Sequence, residues 1–156
     1  MDLVSFFKRK DKRVSLKLRD LSSKCRIQEN KKFIQHGTTT VYSHCRNVAT
    51  LSLYLAKKWN WEVDEESLIR GALLHDYFLY DWHDKNHPRL HGYRHPYIAF
   101  RNASQAFALN RIEEDIIKHH MFPLTIVPPI TKEGWIVCIA DKMCAVYEMK
   151  QNKNKQ

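Results

Sequence analysis

Apolar residues recur along this chain at helical rather than strand spacing. Val14, Leu18, Leu21 and Cys25 mark one stripe on an otherwise basic segment. Val41, His44, Val48, Leu51 and Leu55 follow at steps of three and four, one face of a helix ending near Trp59. Thr38–Thr40 stand ahead of it as N-cap candidates. Asp64, with Glu65 and Glu66 behind it, reads as the cap and acidic first turn of a helix. That helix carries Leu68, Ile69, Ala72, Leu73 and Leu74 and runs into His75-Asp76. Pro96 sits where a first helical residue would, opening a helix to about Leu109. Asn110 and Glu113 have the spacing of a capping box, and Ile112, Ile116 and His120 share a face behind them. Thr131 can cap a last helix bearing Ile136, Ile139, Ala140, Met143 and Tyr147. The stretch 135–140 is short and β-branched enough for a buried strand, but its flanks read as helix. The pattern predicts an all-α bundle of about six helices.

Residues 77–94 break the pattern. They are rich in Tyr, Trp, His, Asp and Lys, contain Pro88 and Gly92, and form a connection longer than compact domains keep without a use. The whole length, 156 residues, suits one hydrophobic core. An apolar content of 44% excludes wholesale disorder, and only four glycines and five prolines argue against a turn-rich sandwich. No apolar run reaches the roughly 18–20 residues that span a bilayer. Leu3, Val4, Phe6 and Phe7 precede a basic cluster, the wrong order for a secretory signal, so a cytoplasmic location is expected. The four cysteines form no C-x-x-C pair and are expected to be reduced and mostly buried.

The net charge of +9 suggests a nucleic-acid partner until it is located. Residues 1–32 hold eleven basic and four acidic groups, 150–156 three basic and none acidic, and 33–149 twelve basic against thirteen acidic. The chain therefore divides into a basic N-terminal helical segment, 1–35, a near-neutral body, 36–149, and a basic tail, 150–156. Solvated ends explain this charge, and a positive field would still draw anionic ligands.

Nine histidines draw attention by placement. His44 lies on an apolar stripe, His75 and Asp76 begin where another stripe ends, and Asp141 follows the apolar run 135–140. A carboxylate buried there is costly unless paired or bound to a cation. This mixed nitrogen and oxygen set suits a divalent ion such as Mn, Fe, Ni, Zn or Mg. Such an ion lowers the pKa of a water and polarises a phosphoryl oxygen. Lys142, Arg94, Lys85 and Arg89 are candidates to meet phosphate charge, and Asp81 is a candidate general acid or base, although a solvated surface role accounts for each as well. His83, His87 and His91 recur at four-residue steps, but Pro88 interrupts them and they read as loop surface. Tyr77, Tyr80, Trp82 and Tyr93 either wall a pocket and stack on a base or pack the loop.

The order His44, His75-Asp76, Asp141 resembles the H…HD…D signature of the HD-domain superfamily of metal-dependent phosphohydrolases. The stretch 71–76 is similar to the helix bearing the HD pair in that family, and 140–142 to its closing Asp helix. The resemblance covers roughly 36–149 and implies a helical bundle. It further implies His44, His75, Asp76 and Asp141 as ligands of one metal. With His95, His119 and His120 the order resembles that of binuclear members, which implies a second metal with Asp76 bridging. Met121-Phe122-Pro123-Leu124 stands where HD-GYP members have a Gly-Tyr-Pro segment, so hydrolysis of cyclic dinucleotides is not expected. Thr40 replaces the acidic ligand of some iron-binding members, and 77–82 lacks the Gly-Lys that often follows the HD pair. The reading that follows is hydrolysis of a small phosphate ester, a nucleotide among the candidates. Two alternatives stay open: a di-iron oxygenase of the same superfamily, and a non-catalytic, metal-stabilised module docking its basic ends on nucleic acid or an acidic partner.

Overall fold

A computed structural model of the chain describes residues 3–154. Among them run seven α-helices: α1 (Leu3–Lys8), α2 (Lys12–Lys24), α3 (Val41–Lys58), α4 (Glu65–Leu74), α5 (His91–Ala106), α6 (Arg111–His119) and α7 (Lys132–Lys153). A 3₁₀ turn (Ile27–Lys31) and a small antiparallel hairpin of β1 (Ile34–His36) and β2 (Thr39–Thr40) join α2 to α3. The all-α bundle read from the apolar stripes is what the chain forms.

The helix starts rest on the predicted caps. Thr40 accepts from the Ser43 amide at 3.1 Å, and Asp64 accepts from the Ser67 amide at 3.1 Å. Asn110 and Glu113 close both halves of the capping box, at 2.9 and 3.0 Å. Thr131 accepts from the Gly134 amide at 2.9 Å, and the stretch 135–140 is helical.

Helices α3, α4, α6 and α7 surround one core. Leu51, Leu68, Leu73, Leu74, Ile116, Ile117 and Ile136 are at most 2% exposed within it. Val14, Leu18 and Leu21 of α2 join the same core, while Arg13 and Lys17 pair with Glu65 and Glu66 of α4. The apolar face of α4 sinks its C-terminal end into the bundle, and this carries His75 and Asp76 inside. Gly71 favours that approach: a Cβ there would stand 2.6 Å from Ile116 Cδ1 and 3.2 Å from its Cβ, so a larger residue would require Ile116 to shift.

The structure departs from the periodicity in two places. α5 begins at His91, behind Leu90 in the left-handed region (φ 58°), so Pro96 lies inside the helix rather than at its first residue. That costs one backbone bond to Gly92 and is tolerated beside the helix start. The β hairpin has no counterpart in the helical reading; Gly37 turns it at φ 58°. α7 also runs into the basic tail as far as Lys153; residues 155 and 156 lie outside the described residues.

Candidate metal centre

Five chain segments converge on Asp76, which is 1% exposed. His44 comes from the buried stripe of α3, His75 and Asp76 from the end of α4, His95 from α5, His120 from the cap of α6, and Asp141 from α7. His44 Nε2 lies 2.9 Å from Asp141 Oδ1 and 3.8 Å from Asp76 Oδ2. His75 Nε2 lies 3.4 Å from Asp76 Oδ2 and 3.6 Å from Asp141 Oδ1. On the other oxygen, Asp76 Oδ1 is 3.1 Å from His95 Nε2 and 3.4 Å from His120 Nε2. One carboxylate thus faces two imidazole groups, one on each oxygen.

Each ring is held from behind. His75 Nδ1 donates to Ala72 O at 2.7 Å, His95 Nδ1 to His91 O at 2.8 Å, and His120 Nδ1 to Ile117 O at 2.9 Å. A carbonyl can only accept, so each of these rings carries a proton on Nδ1, and Nε2 is the atom left to face the centre. His44 Nδ1 donates to Glu148 Oε2 at 2.8 Å, and Asn47 Nδ2 donates to Glu148 Oε1 at 3.2 Å. Gln35 of β1 donates to Asp76 Oδ2 at 2.7 Å.

The inward-facing nitrogen and oxygen atoms crowd together. His95 Nε2 and His120 Nε2 stand 2.9 Å apart beside a carboxylate oxygen. His75 Nε2 and Asp76 Oδ1 are fully buried with no hydrogen-bond partner. Such a cluster is stable only around positive charge. Two sets of ligand atoms, His44–His75–Asp141 and Asp76–His95–His120, each lie within 4.8 Å of one another, close enough to share an ion. Both offer the imidazole and carboxylate donors that divalent cations take.

Proton affinities carry the same demand. Burial opposes a charge on His44, but its bonds to Asp141 and Glu148 hold its pKa well above the ordinary imidazole value. Burial likewise opposes a charge on His75, and Asp76 outweighs it and raises the pKa. Asp76 and Asp141 are buried too, yet their histidine neighbours keep both carboxyls well below the usual range. Protons on His44 and His75 thus play the part a cation would.

A family model, HD domain, matches residues 41–146. The chain belongs to the HD-domain family. No curated protein and no solved structure matches it. Proteins of this family are generally metal-dependent hydrolases, and the gathered histidines and aspartates of this chain could hold a metal ion.

Not every residue singled out in the sequence reaches the centre. His119 diverges from His120 because successive helical residues point about 100° apart. Its Nδ1 lies 2.7 Å from Asp115 Oδ1, outside both ligand sets. Asp81 is half exposed and accepts from the His83 amide at 2.9 Å, a turn contact off the cavity. Lys85 and Arg89 are exposed, and Arg94 borders a separate groove with Tyr93, Tyr97 and Arg101. Lys142 does line the central cavity; its ammonium donates to His120 O at 2.9 Å and Cys138 O at 3.3 Å. Three cysteines are buried and all four are free, as their spacing predicts; Cys45 lies within reach of His75 and Asp76.

The spacing missed four residues. His91, read as loop surface, is half-buried and lines the cavity, stacked between Trp82 and His95 at 5.1 and 4.5 Å. Burial and neighbouring His95 push its pKa down to about 4, and Tyr80 Oη bonds its Nδ1 at 2.7 Å. Gln35 and His36 enter on the hairpin. Glu148 had a visible signal: it follows Asp141 by seven residues, two turns along the same helix face.

Proposed function

We propose that this HD domain is a phosphohydrolase of small phosphate esters that holds two divalent ions across Asp76. His44, His75, Asp76 and Asp141 hold the first, and Asp76, His95 and His120 the second. The observation carrying this reading is the division of Asp76, with one buried oxygen toward His44 and His75 and the other toward His95 and His120.

Bound in these positions, divalent ions supply Lewis acidity, generating a nucleophile from water and offsetting charge on the phosphoryl group. The chain's own part is positioning and charge. Nδ1 bonds to Ala72, His91, Ile117 and Glu148 fix the tautomers and aim each Nε2 inward. Gln35 locks the rotamer of Asp76 so that neither oxygen turns away. Lys142 brings its ammonium into the cavity wall, anchored on the His120 and Cys138 carbonyls, on the side where a phosphoryl group would gain negative charge.

Phosphate release from a panel of esters, with Mn, Mg, Ni, Fe and Zn in turn, tests the reading. Wild type should turn over at least one ester, and Asp76→Ala should reduce the rate at least ~1,000-fold while circular dichroism remains helical. A full rate in Asp76→Ala would refute it.

A further inference from the structure

We infer that this site takes a phosphate monoester whose alcohol part is flat and uncharged, and discriminates against di- and triphosphates; this rests on the phosphohydrolase reading. The cavity over Asp76 and Asp141 has a volume of about 660 Å³, ample for a substrate beyond the phosphate itself. Its floor is the buried carboxylates with His95 and His120. Part of the remaining lining is apolar: Trp82 comes from the long loop after α4, and Met121, Pro123 and Leu124 from the loop after α6, beside the uncharged amide of Gln35 and the imidazoles of His36, His87 and His91.

Each phosphate beyond the first brings further negative charge that needs a cation or a ring of donors. Among the described residues, Lys142 is the one lysine or arginine in the lining. Its ammonium is already shared between the His120 and Cys138 carbonyls and Cys138 Sγ. Lys85 and Arg89, the cations of the neighbouring loop, are outside the lining, and Arg94 serves a different groove. A β- or γ-phosphate would therefore find no further lysine or arginine, and against Met121, Pro123 and Leu124 it would lose water to an apolar surface. A flat apolar group loses nothing there. Trp82 and His91 stack almost parallel, 7° between planes, and both border the cavity as an aromatic wall. Burying a ring against such a wall strengthens binding by about tenfold or more.

Two measurements on the Mn-loaded full chain test this. Calorimetry compares 1-naphthyl phosphate with glycerol 2-phosphate, and phosphate release compares both with ATP. Binding of the naphthyl ester at least tenfold tighter, with kcat/KM at least tenfold above that for glycerol phosphate and for ATP, supports the inference. Leu124→Arg places a cation on the apolar wall at an exposed position, away from the ion-holding residues, and should move the ATP-to-naphthyl ratio at least tenfold toward ATP. ATP cleaved as well as the naphthyl ester by wild type overturns the inference and leaves the phosphohydrolase standing. No release from any ester with any metal overturns the phosphohydrolase reading instead. Calorimetry then still decides the pocket: equal affinity for naphthyl and glycerol phosphates overturns the inference.

Discussion

Asp76 serves as the hinge of the site because each of its oxygens meets a different imidazole group, and its neighbours are arranged to keep it so. Glu148 is the residue whose role is easiest to isolate. It touches neither Asp76 nor Asp141 in the contacts described above, but it takes the Nδ1 proton of His44 and so aims Nε2. Removing such an outer partner typically costs ten- to a hundredfold in metal affinity. Glu148→Ala should therefore weaken Mn binding by about that factor in calorimetry. Glu148→Gln keeps an accepting oxygen and should recover most of it; equal losses in both variants would show that packing alone is involved. At this scale the sequence was readable where a polar residue interrupts an apolar stripe, as at His44 and Asp141. It was silent where the partner comes from a distant segment, as with Gln35 and His91, whose contacts only the tertiary fold creates.

Two helix contacts set the spacing of the groups proposed to hold the ions. Gly71 lets α4 meet α6, bringing Asp76 and His120 together. Gly71→Ala should destabilise the fold by about 1–3 kcal/mol in urea denaturation, since the added methyl overlaps Ile116. No change would mean the helices can part without cost. Asp115 ties α6 to the start of α7, accepting from the amides of Ile130 and Thr131 at 3.1 and 2.9 Å. Burial would raise its pKa, but these bonds and His119 lower it. Stability from Asp115 is thus present above the unfolded carboxyl pKa of about 3.9 and is lost as pH falls through the lower folded value. Asp115→Asn should lower stability at neutral pH and flatten the loss of stability below about pH 4; an unchanged acid limb would contradict this. Periodicity and caps located these helices to within a few residues. They misplaced the start of α5 because Leu90 adopts a left-handed turn that frees the helix to begin before Pro96.

At the level of the whole molecule, the centre joins α3, α4, α5, α6 and α7 around one buried set of imidazoles and carboxylates, so ions bound there would act as cross-links between distant segments. Ligands that bind only the folded state stabilise it in proportion to the logarithm of their concentration over Kd. Chelation should accordingly lower Tm by several degrees, and Mn should restore it in differential scanning calorimetry. Among the described residues no helix is long and apolar enough to cross a membrane. The basic N-terminal stretch contributes to the same core through Val14, Leu18 and Leu21, a docking that net charge alone could not reveal. The adjacent histidines at the end of α6 offer the most direct test of the proposed two-ion centre. Elemental analysis of purified wild type, His119→Ala and His120→Ala should find two ions per chain in the first two and one in the last. Equal metal content in all three, or loss of an ion in His119→Ala alone, would contradict the account.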